Sequence, residues 1–170
     1  MRRPRESLRN LEDVRMPVET MFHELLLTFL TAMVPVVELR GAIPVGVAAG
    51  LPPAAACIAA ILGNMVPVPF ILLLVRRAFA WLRDTKLLGP KIVWLERRAH
   101  LKGRLVRRYR LLGLVILVAI PLPGTGAWTG ALVAALLDIR MRHAVPAIFL
   151  GVAIAGAIIT VLTMGLVHLF

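Results

Sequence analysis

Two interruptions of the same kind, each set in a hydrophobic run too short to cross a bilayer by itself, leave this chain few ways to fold. The first reads Pro35-Val36-Val37-Glu38-Leu39-Arg40-Gly41-Ala42-Ile43-Pro44, the second Pro121-Leu122-Pro123-Gly124-Thr125-Gly126-Ala127-Trp128-Thr129-Gly130. Proline lacks the backbone donor and clashes with the preceding turn, and glycine adds backbone freedom, so both stretches break a helix. Inside lipid such a break must be buried in protein or line a water-filled cavity, because its polar groups find no other partner. Two matching breaks point to one shared site.

That lipid is the right solvent follows from composition. Hydrophobic residues make up 59% of the 170-residue chain and the mean hydropathy is +0.86, values that indicate an integral membrane protein. Residues 52–75 and 144–170 hold no Asp, Glu, Lys or Arg, only His168 among titratable basic groups, and each exceeds the roughly 20 residues a crossing requires. The apolar runs 25–37 and 111–123 are 13 residues each, about 20 Å as helix against a hydrocarbon core of roughly 30 Å. They continue after their breaks into the short runs 41–51 and 126–137, so each forms either one kinked helix or a re-entrant hairpin. The single Cys57 lies in a predicted crossing and reads as a small packed residue, with no disulfide framework or metal cluster. Residues 1–24 carry five arginines and five carboxylates without an apolar core, which makes them a polar tail rather than a signal peptide; Met16 and Met21 offer later starts.

The two halves share a plan. Placing Pro35 on Pro121 aligns Pro44 with Gly130, and a two-residue shift then aligns Leu62-Gly63 with Leu150-Gly151. This divides the chain into a tail (1–24), a first repeat (25–75: break region 25–51, crossing 52–75), a linker (76–110) and a second repeat (111–170: break region 111–137, crossing 144–170). The turns are Leu51-Pro52-Pro53 and Asp138 to His143. Re-entrant breaks would give one full crossing per half and an inverted repeat, as in transporters; kinked helices would give four crossings and parallel halves. The linker holds 12 of the 20 Lys and Arg residues against Asp84 and Glu96, which assigns it to the cytoplasm in either arrangement. The arginines of the tail favour the kinked arrangement. Ile92, Leu95, Ala99 and Val106 share a helical face opposite Arg97, Arg104, Arg107 and Arg108, the pattern of an amphipathic helix on the anionic inner leaflet, although Lys102 and Gly103 weaken it. Positive-inside bias accounts for most of the +11 net charge, so no nucleic-acid partner is expected.

Glu38 and Arg40 are the only strongly charged side chains within the apolar segments, where each costs roughly 2.5–3.5 kcal/mol to insert. In the extended backbone expected between Pro35 and Gly41 they would project to one side and line a cavity, or neutralise each other. A half-helix starting at Gly41, and another starting at Ala127 with Thr125 as its cap, would aim free N–H groups at the breaks. With Arg40 these ends make an anion site, and Glu38 is the natural proton carrier. Trp128 would either stack on the substrate or anchor at the lipid interface. Asn64, in mid-crossing, is expected to pair with backbone freed at a break. Gly151, Ala155 and Ile159, with Ala153 and Ala157, give the last crossing a small face for close packing. His23, His100, His143 and His168 are scattered, and nothing assembles a nucleophile with a base, paired carboxylates or a metal cluster, so no enzyme, cofactor or metal is expected.

At Glu38-Leu39-Arg40-Gly41-Ala42-Ile43-Pro44 and at Pro121 to Gly130 the chain resembles the small multidrug export protein family, itself similar to the DedA (SNARE-associated/VTT) superfamily of membrane proteins. The similarity runs from about residue 25 to 170. It implies an all-α membrane fold, an inverted pair of re-entrant helices each followed by a crossing, and residence in a bacterial or archaeal plasma membrane. The DedA relationship implies transport of polyprenyl-phosphate or phospholipid, often linked to the proton gradient. The family positions are Glu38, Arg40, Gly41 and Pro44 in the first motif and Pro121, Pro123, Gly124, Gly126, Trp128 and Gly130 in the second; Thr125 and Thr129 join the expected substrate-binding set. The resemblance favours the re-entrant arrangement. Three functions are thus set against each other: a transporter of an anionic lipid-phosphate substrate, an exporter of small cationic drugs with Glu38 as counter-charge, and a non-transporting scaffold whose basic linker recruits lipids or partners. With two full crossings per chain, a homodimer is compatible with an enclosed cavity.

Overall fold

The computed structural model describes residues 18–83, 103–122 and 124–169. These residues form seven helices: α1 (Val18–Met33), α2 (Glu38–Ala48), α3 (Pro53–Met65), α4 (Pro67–Arg83), α5 (Gly103–Ala119), α6 (Ala127–Leu136) and α7 (Met141–Leu169). Pro53 opens α3 at a position where its missing donor would go unused. Pro67 and Pro69 then interrupt the ladder, and Val66 is the joint between α3 and α4. Despite that joint, Pro53–Ala78 is a 26-residue stretch of mean hydropathy 2.4, and Met141–Leu166 matches it at 26 residues and 2.5. Both are long and apolar enough to cross a membrane.

Several sequence boundaries move. Helix α1 begins at Val18, so residues 18–24 belong to it and not to a polar tail. The crossing expected to end at 75 runs on in α4 to Arg83, and α7 starts at Met141 within the expected turn. The amphipathic linker helix falls largely on residues 84–102, outside the described residues, whereas Gly103 opens α5. The first break is shorter than expected. Only residues 34–37 lie outside helix, and Glu38, Arg40, Gly41 and Pro44 all sit within α2.

Alanines make up about half of the buried apolar residues, among them Ala32, Ala42, Ala60, Ala127, Ala131 and Ala134, beside larger side chains such as Ile43, Leu72, Leu114 and Ile148. Leu26, Phe70, Leu74, Phe149 and Val161 are exposed. Small interior residues let helices gain contact by close approach, and exposed large ones suit a lipid surround. At Gly63 a Cβ would fall on the Phe29 carbonyl of α1, and at Gly151 one would crowd the Val115 carbonyl of α5. The same pairing of α1 with α3 and of α5 with α7 therefore rests on a glycine in each half.

The ends of the short helices repeat as well. Gly50 (φ 96) and Asp138 (φ 50) both take left-handed backbone one residue beyond the C-caps of α2 and α6. Leu51 N–H bonds Gly46 O at 3.0 Å and Ile139 N–H bonds Ala134 O at 2.9 Å, closing each helix with a Schellman turn. Both Leu51 and Ile139 are buried, as that turn favours. By this spacing Glu38 corresponds to Gly126, so the two-residue shift lies at the break itself: residues 34–37 in the first half, 120–125 in the second.

Because the Phe29 carbonyl is backbone and cannot swing aside, Gly63→Ala should destabilise the protein by about 1–3 kcal/mol, the cost of overpacking. Gly113 faces open space, so Gly113→Ala should be neutral or gain about 0.5–1 kcal/mol from helix propensity. Thermal unfolding of both variants in detergent micelles measures the contrast.

Candidate functional site

The site forms where the start of α2 meets the loop before α6. In the first break Glu38 N–H bonds Val34 O at 2.9 Å and Gly41 N–H bonds Val37 O at 3.0 Å, so the chain re-enters helix with Glu38 as its first residue. Glu38 has φ 49, a left-handed conformation that costs a non-glycine residue of order 1–3 kcal/mol, and it is buried at 6% exposure. The extended Glu38-Leu39-Arg40 segment expected from Pro35 and Gly41 is thus a helical first turn.

The second break is held by its own side chains. Thr125 Oγ1 lies 2.7 Å from Ile120 O and 2.9 Å from Leu122 O, and Thr129 Oγ1 donates to Gly124 O at 2.6 Å. Gly124 (φ 82) and Gly126 (φ 154) supply backbone angles that L side chains rarely adopt. Helix α6 follows with Gly126 as N-cap and no side-chain cap from within the loop. Thr125 does not cap it, because its hydroxyl is turned back to the loop carbonyls.

The cap comes instead from the other break. The Glu38 carboxylate lies against Gly126, the N-cap of α6, where any Cβ would overlap it. A negative group at a helix N-terminus meets both the free N–H groups and the positive end of the dipole. Arg40, two residues on, donates to the carbonyls of Leu122 and Thr125 and, at 2.9 Å, to Thr125 Oγ1. The carboxylate thus stands at the donor end of the second break and the guanidinium binds its acceptors.

The structure therefore brings together Glu38, Arg40, Thr125, Gly126 and Trp128 of the expected set. The other members shape the surrounding helices. Gly41 and Pro44 are half-buried in α2, Pro121 is half-buried at the start of the second break, Thr129 ties α6 to Gly124, and Gly130 is buried against Val118. Pro123 lies outside the described residues. At the α6 end, where an anion is expected, the chain's own Glu38 carboxylate lies against Gly126.

Sequence reasoning missed the Leu122 carbonyl as an Arg40 partner, since nothing in an apolar side chain advertises its backbone. Two further polar groups stand out. The indole Nε1–H of Trp128 is buried without a hydrogen-bond partner, and its ring packs against the core. Asn64 is 0% exposed and neither its Oδ1 nor its Nδ2 has a partner, so the expected bond to freed backbone is not made. Among the described residues no three His, Cys, Asp or Glu side chains gather as metal ligands.

Compared with known proteins, the chain matches the family model described as "Putative small multi-drug export protein" over residues 38–158, a segment that opens at Glu38, just after the first break, and includes the second. No curated protein and no solved structure matches it.

The contact of Glu38 with Gly126 predicts a specific coupling. Gly126→Ala should destabilise the protein by about 1–3 kcal/mol, because the added methyl displaces the carboxylate. In the Glu38→Ala background the same substitution should cost measurably less, leaving only the strain at φ 154. A double-mutant cycle on thermal stability reads the difference.

Proposed function

The chain belongs to the small multidrug export protein family and is in general terms a membrane transporter; from that premise we propose that it moves an anionic amphipathic substrate, such as a polyprenyl-phosphate or phospholipid, with Glu38 as proton carrier. The observation that carries this reading is the carboxylate on the α6 N-terminus. A site that binds a carboxylate from its own chain offers a substrate phosphate the same backbone donors, beside Arg40. The Trp128 indole N–H, a donor with no acceptor, adds a further group suited to an anion. Protonation of Glu38 would withdraw the internal anion and open its seat to the headgroup, which couples proton entry to substrate binding.

The arrangement of the halves supports re-entrant hairpins in an inverted repeat. Gly46 of α2 lies against Thr28 of α1, so the chain doubles back at the first break and does not continue as one kinked helix. The C-terminal turn of α6 meets Arg76, which donates to Ile139 O, and Arg110, 3.3 Å from Leu137 O. Those arginines bound the basic linker, whereas the C-terminus of α2 leads into the opposite end of the α3–α4 crossing. The two short helices would thus open on opposite sides of a plasma membrane with their N-termini meeting in between, as inverted-repeat transporters arrange them.

Binding of a short-chain lipid phosphate to the purified protein tests the substrate class. Binding should survive or strengthen in Glu38→Gln and be lost at least about tenfold in Arg40→Ala, a change of roughly 1.4 kcal/mol. The opposite pattern would establish the cationic-drug exporter, in which Glu38 is the counter-charge. If neither substitution alters the cellular phenotype while neutralising the basic linker abolishes it, the chain is a scaffold. A tag before Val18 should be accessible from outside the cell; a cytoplasmic tag would exclude the inverted repeat.

A further inference from the structure

Between α5 and α6 runs a groove of about 300 Å³, at the lower end of the roughly 300–1,000 Å³ of ligand sites. Arg110, Gly113, Leu114 and Leu117 form one wall, a single face of α5 at helical spacing, and Val133 and Leu137 form the other. From Arg110 to Leu117 the wall is about 10 Å long by helix rise. Gly113 keeps it open. A Cβ there would meet no atom, so close packing does not call for a glycine, which weakens a helix relative to alanine. The Phe29 carbonyl under Gly63 and the Val115 carbonyl under Gly151 set α1 against α5, and by that correspondence Gly113 stands where the first half has Leu27. The first half thus carries a large apolar side chain at the place where the second half omits one.

The groove is cationic at one end only. At Leu137 the Arg110 Nη1 lies 3.3 Å from the backbone carbonyl, which uses one of the five guanidinium donors. Among the described residues Arg110 has no other hydrogen bond or ion pair. Tyr109 beside it is exposed and brings a hydroxyl to the same lining. Asp138, the carboxylate of this corner, is turned to Arg76 at 4.0 Å. Arg110 closes the basic linker, whose charge assigns this end to the cytoplasm, where the inner leaflet carries anionic lipids. A cation at the membrane surface with an apolar channel leading inward matches an anionic phospholipid, whose phosphate lies at the interface and whose acyl chains lie below it.

We propose that the α5–α6 groove binds one anionic phospholipid of the inner leaflet, with its phosphate on Arg110 and the Tyr109 hydroxyl and an acyl chain against Gly113, Leu114 and Leu117. The chain of the lipid supplies the apolar contact that Gly113 lacks. Glu38 stands at the opposite end of α6, about 15 Å away by helix rise, so this lipid is bound apart from the transport site. The inference rests on the cytoplasmic assignment of the linker and not on the substrate of Glu38 and Arg40.

Native mass spectrometry of the full chain in detergent micelles, titrated with phosphatidylglycerol or with phosphatidylcholine of the same acyl chains, tests it. The parent should retain a lipid that binds about fivefold more tightly as phosphatidylglycerol, the effect of one basic side chain at an anionic headgroup. Gly113→Leu fills open space and should melt no lower than the parent, yet bind this lipid at least about tenfold more weakly. Val133→Phe fills the groove from α6 and should act alike. Arg110→Gln should keep the binding of phosphatidylcholine and abolish the preference. Unchanged lipid retention in folded Gly113→Leu or Val133→Phe, or equal affinity of the parent for both lipids, overturns the proposal. A dimer that these substitutions dissolve in place of a lipid overturns it in favour of a second copy of the chain. A single retained lipid that Arg40→Ala loses and Gly113→Leu keeps belongs to the α6 N-terminus, and overturns the groove while leaving the transport reading intact.

Discussion

Two interrupted backbones that satisfy each other are what the rest of this structure depends on. In hydrocarbon a broken helix leaves donors at one end and acceptors at the other, with no water to take either. Here the Glu38 carboxylate lies against the N-cap of α6 and the Arg40 guanidinium donates to carbonyls of the preceding loop. Charge-assisted hydrogen bonds are roughly twice as strong as neutral ones, which suits groups that must hold a loop without solvent. The same crossing explains the glycine at position 126: a side chain there would occupy the carboxylate's place.

Around this contact the fold follows from approach distance. Glycines at 63 and 151 let crossing helices close on the backbone of α1 and α5, and alanines share the interior with Ile43, Leu72, Leu114 and Ile148. The outer ends of the short helices are finished by Schellman turns, so no carbonyl there needs lipid-side help. At the α6 end Arg76 and Arg110 add positive charge to the negative end of the dipole. The arginines at the two ends of the linker thus tie the second short helix to the rest of the fold.

Much of this was legible in the residues. Apolar length marked both crossings, prolines and glycines marked both breaks, and Glu38 and Arg40 stood out as charges with no place in lipid. What misled was local propensity. Pro35 and Gly41 favour extended backbone, yet packing of α2 between α1 and α3 draws Glu38 through Ala48 into one helix, with Pro44 inside it. Thr125 has the preferred chemistry of a cap but serves its own loop, because a carboxylate from another helix fills the position first. The sequence alignment put Pro44 on Gly130, whereas the helix ends put Ala42 there; the extra two residues of the second break could not be located until both Schellman turns were known. No pattern in one dimension pairs Arg40 with the backbone of Leu122.

The site owes its asymmetry to its place between the halves. Glu38 and Gly126 occupy corresponding positions in the two short helices and touch each other, so each side chain faces its own counterpart. Identical glutamates there would bring two carboxylates together, and one would be driven to stay protonated. One glutamate and one glycine avoid that conflict and leave a single titratable group with a single anion seat beside it. Arg40 and Trp128 correspond in the same way, one a permanent cation and the other a neutral donor, as do Asn64 and Val152. In each pair the first half carries the stronger polar group and the second makes room for it or lends a weaker donor. A near-symmetric backbone with a one-sided sequence thus sets one carboxylate against the α6 N-terminus, with no counterpart charge from the second half to oppose it.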